Sequence, residues 1–183
     1  MSRLLHLNGP PGIGKSTLAR RYVDDHPGVL NCDIDVLRTL IGGWQADFAG
    51  AGALIRPAAL AMITAYLRTG HDVVLPQMLI RLTELEKFEL AADDARAEFV
   101  ACMLTDTEAS AVSRFYRRGE SDSDIAWHQQ VREIVEADGG EDALTACHRG
   151  LQELLASRPG TAVIRSTEGE IDATYRNLLE TVG

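Results

Sequence analysis

At 183 residues the chain suits one domain with a sizeable core and room for a small lid. Its 27 acidic residues outnumber 18 basic ones, for a net charge of −9, and the basic residues are scattered rather than massed, which argues against a nucleic-acid or membrane-surface protein. No basic-plus-apolar leader and no long apolar run stands out, so neither a signal peptide nor a membrane span is expected and the cytoplasm is the default location.

The first element is a short apolar run, Leu4-Leu5-His6-Leu7, with the character of a buried parallel strand. Gly9 to Ser16 follows and fits GxxxxGK[ST] without a mismatch. Gly9, Gly12 and Gly14 lack Cβ, so the backbone there is free to turn its N–H groups inward around a phosphate chain, and Pro10 and Pro11 stiffen the loop. A helix expected from Lys15 to about Asp25 aims its positive N-terminal end at the same anion, and the Lys15 ammonium reaches the β- and γ-phosphates. The Ser16 hydroxyl is the candidate ligand of Mg²⁺. Lys15 is one of two lysines against sixteen arginines, so its presence is not compositional background. Gly9, Pro10, Pro11, Gly12, Ile13, Gly14, Lys15, Ser16 and Thr17 are the candidate ATP-binding residues of this stretch.

After a turn at His26-Pro27-Gly28, Val29 to Asp35 is expected as a second strand ending in two acids, Asp33 and Asp35. Alternation along such a strand would put both carboxylates on one side; alternatively, one of them caps the helix that starts near Val36. Ile34 to Leu40 is helical in pattern and stops at Gly42-Gly43. A Gly-rich loop, 42–52, carries Trp44, Asp47 and Phe48, either as an acceptor pocket or as core packing. Ala53 to Arg68 is expected as a long helix ended by Gly70. Asp72 to Met78 is the third strand, Thr83 to Ala92 a helix, and Glu98 to Leu104 the fourth strand. Thr107 to Arg118 is a helix with a basic end, Arg114, Arg117 and Arg118; at its simplest, such a cluster complements the helix dipole. Helices at Asp124–Ala137 and Glu141–Ala156, a fifth strand at Thr161–Arg165 and a helix at Ile171–Thr181 complete the chain. Asp122 and Asp124 suit the cap of the next helix. Strands alternating with helices give an α/β fold with a parallel sheet covered on both faces. Cys32, Cys102 and Cys147 are odd in number and far apart, which fits reduced structural thiols rather than a disulfide or a zinc site.

Two phosphate-loop branches are disfavoured by what their motifs require. The apolar strand Val73 to Leu75 ends in Pro76-Gln77 rather than Asp-Glu, and no Asn-Lys-x-Asp guanine reader is present. The loop Gly9 to Thr17, the acids Asp33 and Asp35, and the Arg-rich stretch Arg114 to Arg118 resemble the shikimate kinase, gluconate kinase and chloramphenicol phosphotransferase group. That resemblance implies a three-layer P-loop NTPase fold of the nucleoside-monophosphate and shikimate kinase type. It has a five-stranded parallel sheet in a single domain, 1–183, and a helical lid near 114–125. It also implies ATP and Mg²⁺ as cofactors and transfer of the γ-phosphate to a hydroxyl of a small-molecule acceptor. An antibiotic, chloramphenicol-like or nucleoside, is the first such acceptor; a nucleoside, a sugar acid or another metabolite is the second. A non-catalytic nucleotide-binding protein and a toxin-like kinase of a nucleotide-sugar are the competing classes.

Carried over by the resemblance, Asp35 is the base that takes the acceptor's proton and Asp33 the magnesium-side acid, with exchanged roles left open. Arg114, Arg117 and Arg118 become lid arginines that close over ATP. Thr167, in Ser166-Thr167-Glu168-Gly169, falls where relatives contact adenine. Arg38 lies one helical turn after Asp35 and either holds the acceptor or is a solvated surface arginine. Gln77 sits where an acceptor could be hydrogen-bonded, although Pro76-Gln77 departs from the Gly-rich or acidic ends of relatives. Trp127 and His128 are read as structural or at the pocket rim. No nucleic-acid or membrane partner is expected, and the chain is a monomer or homodimer. The loop itself reads phosphates and not the base, so it leaves ATP and GTP undistinguished.

Overall fold

A computed structural model describes residues 1–117 and 125–183, with the backbone alone at Ile125 and Ala126. The expected lid arginine Arg118, the acids Asp122 and Asp124, and most of the expected lid lie outside the described residues. The strands are β1 (Arg3–Asn8), β2 (Leu30–Asn31), β3 (Val73–Leu75), β4 (Glu98–Thr105) and β5 (Ala162–Arg165). All pair in parallel, in the order β2-β3-β1-β4-β5. The strand that leads into the Gly-rich loop is therefore the middle of the sheet.

Helices cover both faces, and alternation along β1 shows why. Leu4 packs with Ile63 and Leu67 of α3 (Phe48–Leu67), Phe88 of α4 (Leu82–Asp94) and Leu151 and Leu154 of α7 (Glu141–Ser157). Leu5 and Leu7, on the opposite side, pack with Leu18 and Tyr22 of α1 (Lys15–Asp25) and with Tyr175 and Leu178 of α8 (Ile171–Val182). A strand whose residues alternate into two apolar layers belongs in the centre of a three-layer α/β fold. The remaining described helices are α2 (Ile34–Arg38), α5 (Glu108–Arg117) and α6 (Ile125–Ala137). Cys32 and Cys102 are buried and Cys147 half-buried, all as free thiols. Burial pushes the Cys32 thiol up to about 12 and that of Cys102 up to about 11.

Three expectations change. The second strand ends at Asn31 instead of reaching Asp35, because Asp33 turns the chain into α2: its carboxylate accepts from the backbone N–H of Asp35 at 3.1 Å and of Val36 at 3.4 Å. The two acids are thus a helix cap and a first-turn residue, not alternate residues of a strand. The long helix starts at Phe48 rather than Ala53, capped by Asp47, whose carboxylate accepts from Gly50 N at 2.8 Å. Gly50 and Gly52 are helical; Gly52 is small because the Arg38 guanidinium lies 3.1 Å from where its Cβ would be. Finally, α3 is a long apolar run after all. It is 20 residues long, and an 18-residue window of it has a mean hydropathy of 1.5, which meets the length and composition of a membrane span, with 22% of that window buried. Its Ala59, Ile63 and Leu67 join the core, while Arg56 in its middle pairs with Glu84 of α4 at 2.9 Å.

Candidate functional site

The Gly-rich loop has no freedom to be anything but glycine at its key positions. Gly9, Gly12 and Gly14 have φ of +143°, +80° and +104°, a region that side chains disfavour. A Cβ on Gly9 would lie 2.7 Å from the Leu104 carbonyl, and one on Gly12 would lie 3.2 Å from the Phe115 backbone nitrogen. The loop is pressed against the end of β4 and against α5. Asn8, buried at the end of β1, fixes its entry: Oδ1 accepts from Gly9 N at 2.8 Å and Leu79 N at 3.0 Å, and Nδ2 donates to Leu79 O at 2.8 Å. Lys15 Nζ arches back and donates to the carbonyls of Gly9 at 2.8 Å and Pro10 at 2.9 Å.

The helix that follows is prepared for an anion. Gly14 is the N-cap of α1 and supplies no side-chain acceptor, and no acid occupies the first turn. The first N–H groups and the positive end of the dipole are therefore not neutralised by the helix itself. With Lys15 beside them and the Ser16 and Thr17 hydroxyls in the same turn, the donor set fits a chain of phosphates. Ser16 and the Asp33 carboxylate are hard oxygen ligands of the kind Mg²⁺ takes. Among the described residues no cluster of three His, Cys, Asp or Glu side chains is placed to hold a metal ion.

The other half of the site hangs from β3, the strand beside β1, and from β2, the edge strand beyond it. Ligand crevices in such sheets lie beyond the strands' carboxyl ends. Asp33 is buried in its capping role, whereas the Asp35 side chain is 41% exposed and pairs with Arg38 at 3.6 Å. Arg38 is no solvated surface arginine. It is buried, stacked 3.9 Å from the Phe48 ring centre and 5.7 Å from that of Trp127, and its Nε has no protein partner among the described residues. Burial lowers its pKa; Asp35 opposes this and Arg56 adds to it. Trp44 and Phe48 lie 5.5 and 5.4 Å from Trp127, so the aromatics of the 42–52 stretch form a cluster with α6.

Gln77, just past β3, is also buried, and its Oε1 has no protein partner among the described residues. Its backbone carbonyl lies 2.8 Å from His6 Nε2. Burial, outweighing that bond, drives the His6 pKa down to about 4, so the ring is neutral and Nε2 carries the donated proton.

The basic end of α5 divides. Arg117 is exposed and paired with Glu168 in the loop after β5. Arg114 is nearly buried and bonds to Asp106, Ser166 and the Ile13 carbonyl. Thr167 is half-buried, and its carbonyl accepts from Glu170 N at 3.1 Å. The structure thus joins the Gly9–Thr17 loop, Arg114 and the 166–168 loop in one cluster, and groups Asp35 and Arg38 on α2 with Asp33 at its cap; Gln77 stands apart from both, just past β3 against His6. The Asn8 contact with Leu79, the Ser166 contact with the loop, and the stacking of Arg38 on Trp127 have no signature in the sequence, because each depends on a partner distant along the chain; Asp106 acts on near neighbours, Thr107, Ser110 and Arg114.

Residues 4–137 match the family described as AAA domain. No curated protein matches. Among solved structures, the fold is similar to a tunicamycin resistance protein from Deinococcus radiodurans, with a TM-score of 0.62 and 17% identity over 100% of this chain and 96% of the other. A gluconokinase from Sinorhizobium meliloti 1021 gives 0.58 and 16% identity, over 99% of this chain and 94% of the other. A deoxyadenosine kinase from M. mycoides gives 0.54 and 11% identity, over 98% and 97%. At these identities the likeness is one of fold, that of P-loop kinases.

Proposed function

The chain belongs to the AAA domain family of P-loop proteins, and from that premise we propose that it is an ATP-dependent phosphotransferase acting on a hydroxyl of a small molecule. The observation that carries this reading is the pairing of an anion-ready loop, Gly9 to Thr17, with a half-exposed carboxylate, Asp35, on α2, the helix after β2 in the same sheet. A loop alone would serve a binder or a switch. A carboxylate at the crevice, braced by an arginine, gives an acceptor hydroxyl somewhere to lose its proton.

In this reading the acceptor oxygen attacks the γ-phosphorus, the bond from that phosphorus to the β–γ bridging oxygen breaks, and ADP leaves with the electron pair. The hydroxyl proton passes to Asp35. Lys15 leaves the Gly9 and Pro10 carbonyls to meet the β- and γ-phosphates, and Arg117, released from Glu168, neutralises charge on the group in transfer together with Arg118. Mg²⁺, held by Ser16 and Asp33 with the phosphates, would supply further charge neutralisation. Arg38 Nε and Gln77 Oε1, without a protein partner among the described residues, offer a donor and an acceptor to hold the substrate. An antibiotic is the first acceptor class to test, and a nucleoside or sugar acid the second.

The test is ATP consumption with Mg²⁺ against chloramphenicol, tunicamycin, nucleosides and sugar acids, with product mass read for one added phosphoryl group. One acceptor should gain phosphate. Asp35→Asn should then lower kcat by about 10²–10⁴-fold with ATP binding retained, and Lys15→Ala should abolish turnover. ATP binding without product across the panel, or full turnover in Lys15→Ala, would count against the kinase.

A further inference from the structure

Arg114 stands where a nucleotide contact is expected, yet its guanidinium is committed to the protein. Nη1 donates to the Ser166 carbonyl at 2.6 Å and to Asp106 Oδ2 at 3.2 Å. Nη2 donates to the Ile13 carbonyl at 3.0 Å and lies 3.5 Å from Ser166 Oγ. The Ser166 hydroxyl donates to the same Ile13 carbonyl at 2.9 Å. Asp106 is in turn held by Ser110 Oγ at 2.6 Å and Thr107 N at 2.8 Å. Two independent donors converge on one carbonyl of the phosphate loop.

That carbonyl has a consequence one bond away. The peptide between Ile13 and Gly14 is planar and trans, so its C=O and the Gly14 N–H point in opposite directions. Fixing the Ile13 oxygen on Arg114 and Ser166 therefore turns the Gly14 N–H away from them, at the N-cap of α1 where an anion is expected. Little else prevents this peptide from flipping. Gly14 has no side chain, and the nearest atom to its missing Cβ is Arg114 Nη2 itself, at 3.9 Å. A flipped peptide would present an oxygen to the phosphates where a donor is needed.

We propose that Arg114 is a positioning residue of the phosphate loop: with Ser166 it locks the Ile13 carbonyl outward, which aims the Gly14 N–H at the bound phosphate chain. The role is exercised through the backbone, and it couples the cradle to the loop after β5. It rests on the reading of Gly9 to Thr17 as a triphosphate site, and a ligand without a base separates the two.

The experiment measures affinity of the full chain for Mg·ATP and for inorganic tripolyphosphate. Arg114→Met should weaken both by the same factor, about tenfold or more for loss of a charged hydrogen bond, and Arg114→Lys should recover part of the loss. Ser166→Ala, which removes a single hydroxyl and serves if the Met variant does not fold, should weaken both by about two- to tenfold. In ¹⁵N spectra the Gly14 amide should shift downfield on adding tripolyphosphate to the wild type, and less in the variants. Unchanged affinities and an unchanged Gly14 shift in folded variants would overturn the proposal. So would a loss confined to ATP, which would assign Arg114 to the nucleoside. If the wild type binds neither compound, the triphosphate site itself is refuted.

Discussion

Asp33 and Asp35 are two residues apart, and the structure gives them different work. Asp33 spends a carboxylate oxygen on the N–H groups that open α2; Asp35, half exposed, faces Arg38. Asp33→Ala should therefore destabilise the fold by about 1 kcal/mol, the usual worth of an N-cap, lowering Tm by about 2–4 °C in a chain of this size. Asp33→Asn keeps an acceptor oxygen and should melt close to the wild type. A thermal melt of both variants tests this, and an Ala variant as stable as the wild type would remove the cap from the account. The Asn variant then isolates charge: any loss of Mg²⁺-dependent turnover in it belongs to the metal side. From sequence the pair was visible and both roles were conceivable, but which acid capped depended on where β2 ended, and two consecutive strand-like residues cannot announce that. Arg38 shows the same limit, since its burial is made by Phe48 and Trp127, which no local pattern connects to it.

At the level of elements, the phosphate loop and α5 are one packed unit. Gly12 lies so close to the Phe115 backbone that a Cβ would meet its nitrogen at 3.2 Å and its Cα at 3.3 Å, with φ at +80° besides. Backbone cannot yield as a side-chain tip can. Gly12→Ala should cost about 1–2 kcal/mol from the left-handed conformation alone, and separating the loop from α5 should remove the stabilisation by nucleotide. Melting with and without Mg·ATP checks it: the wild type should gain several degrees and the variant little, whereas an equal gain in both would mean that the contact is slack. Apart from the end of the second strand, strand and helix identities among the described residues were readable, because apolar runs of strand length alternate with helical periods. The start of α3 was not. Gly50 and Gly52 looked like loop residues; one is tolerated by a capped first turn, and the other makes way for a guanidinium.

Across the whole molecule, β1 joins the two apolar layers and carries a titratable ring into the interior, His6. Its ring is neutral in the fold, with a pKa of about 4 against 6.5 for the free side chain. Between those values the unfolded chain binds a proton that the folded chain refuses, so stability is full above 6.5 and declines as pH falls toward 4. The loss attributable to this one ring approaches about 3 kcal/mol. Denaturant titrations of wild type and His6→Gln at pH 7 and near pH 4 should show the steeper fall in the wild type; parallel falls would exclude His6 as a source. The middle position of β1 has one more consequence, in time rather than energy. Its partners in the sheet begin only at Val73 and Glu98, so during synthesis β1 must wait, unpaired, until β3 emerges, and has both neighbours only once β4 has followed. The Gly-rich loop it carries has no shape until β4 and α5 arrive to press on Gly9 and Gly12, and nucleotide can assist folding only from that point on. The binding loop is therefore made before the elements that give it its shape.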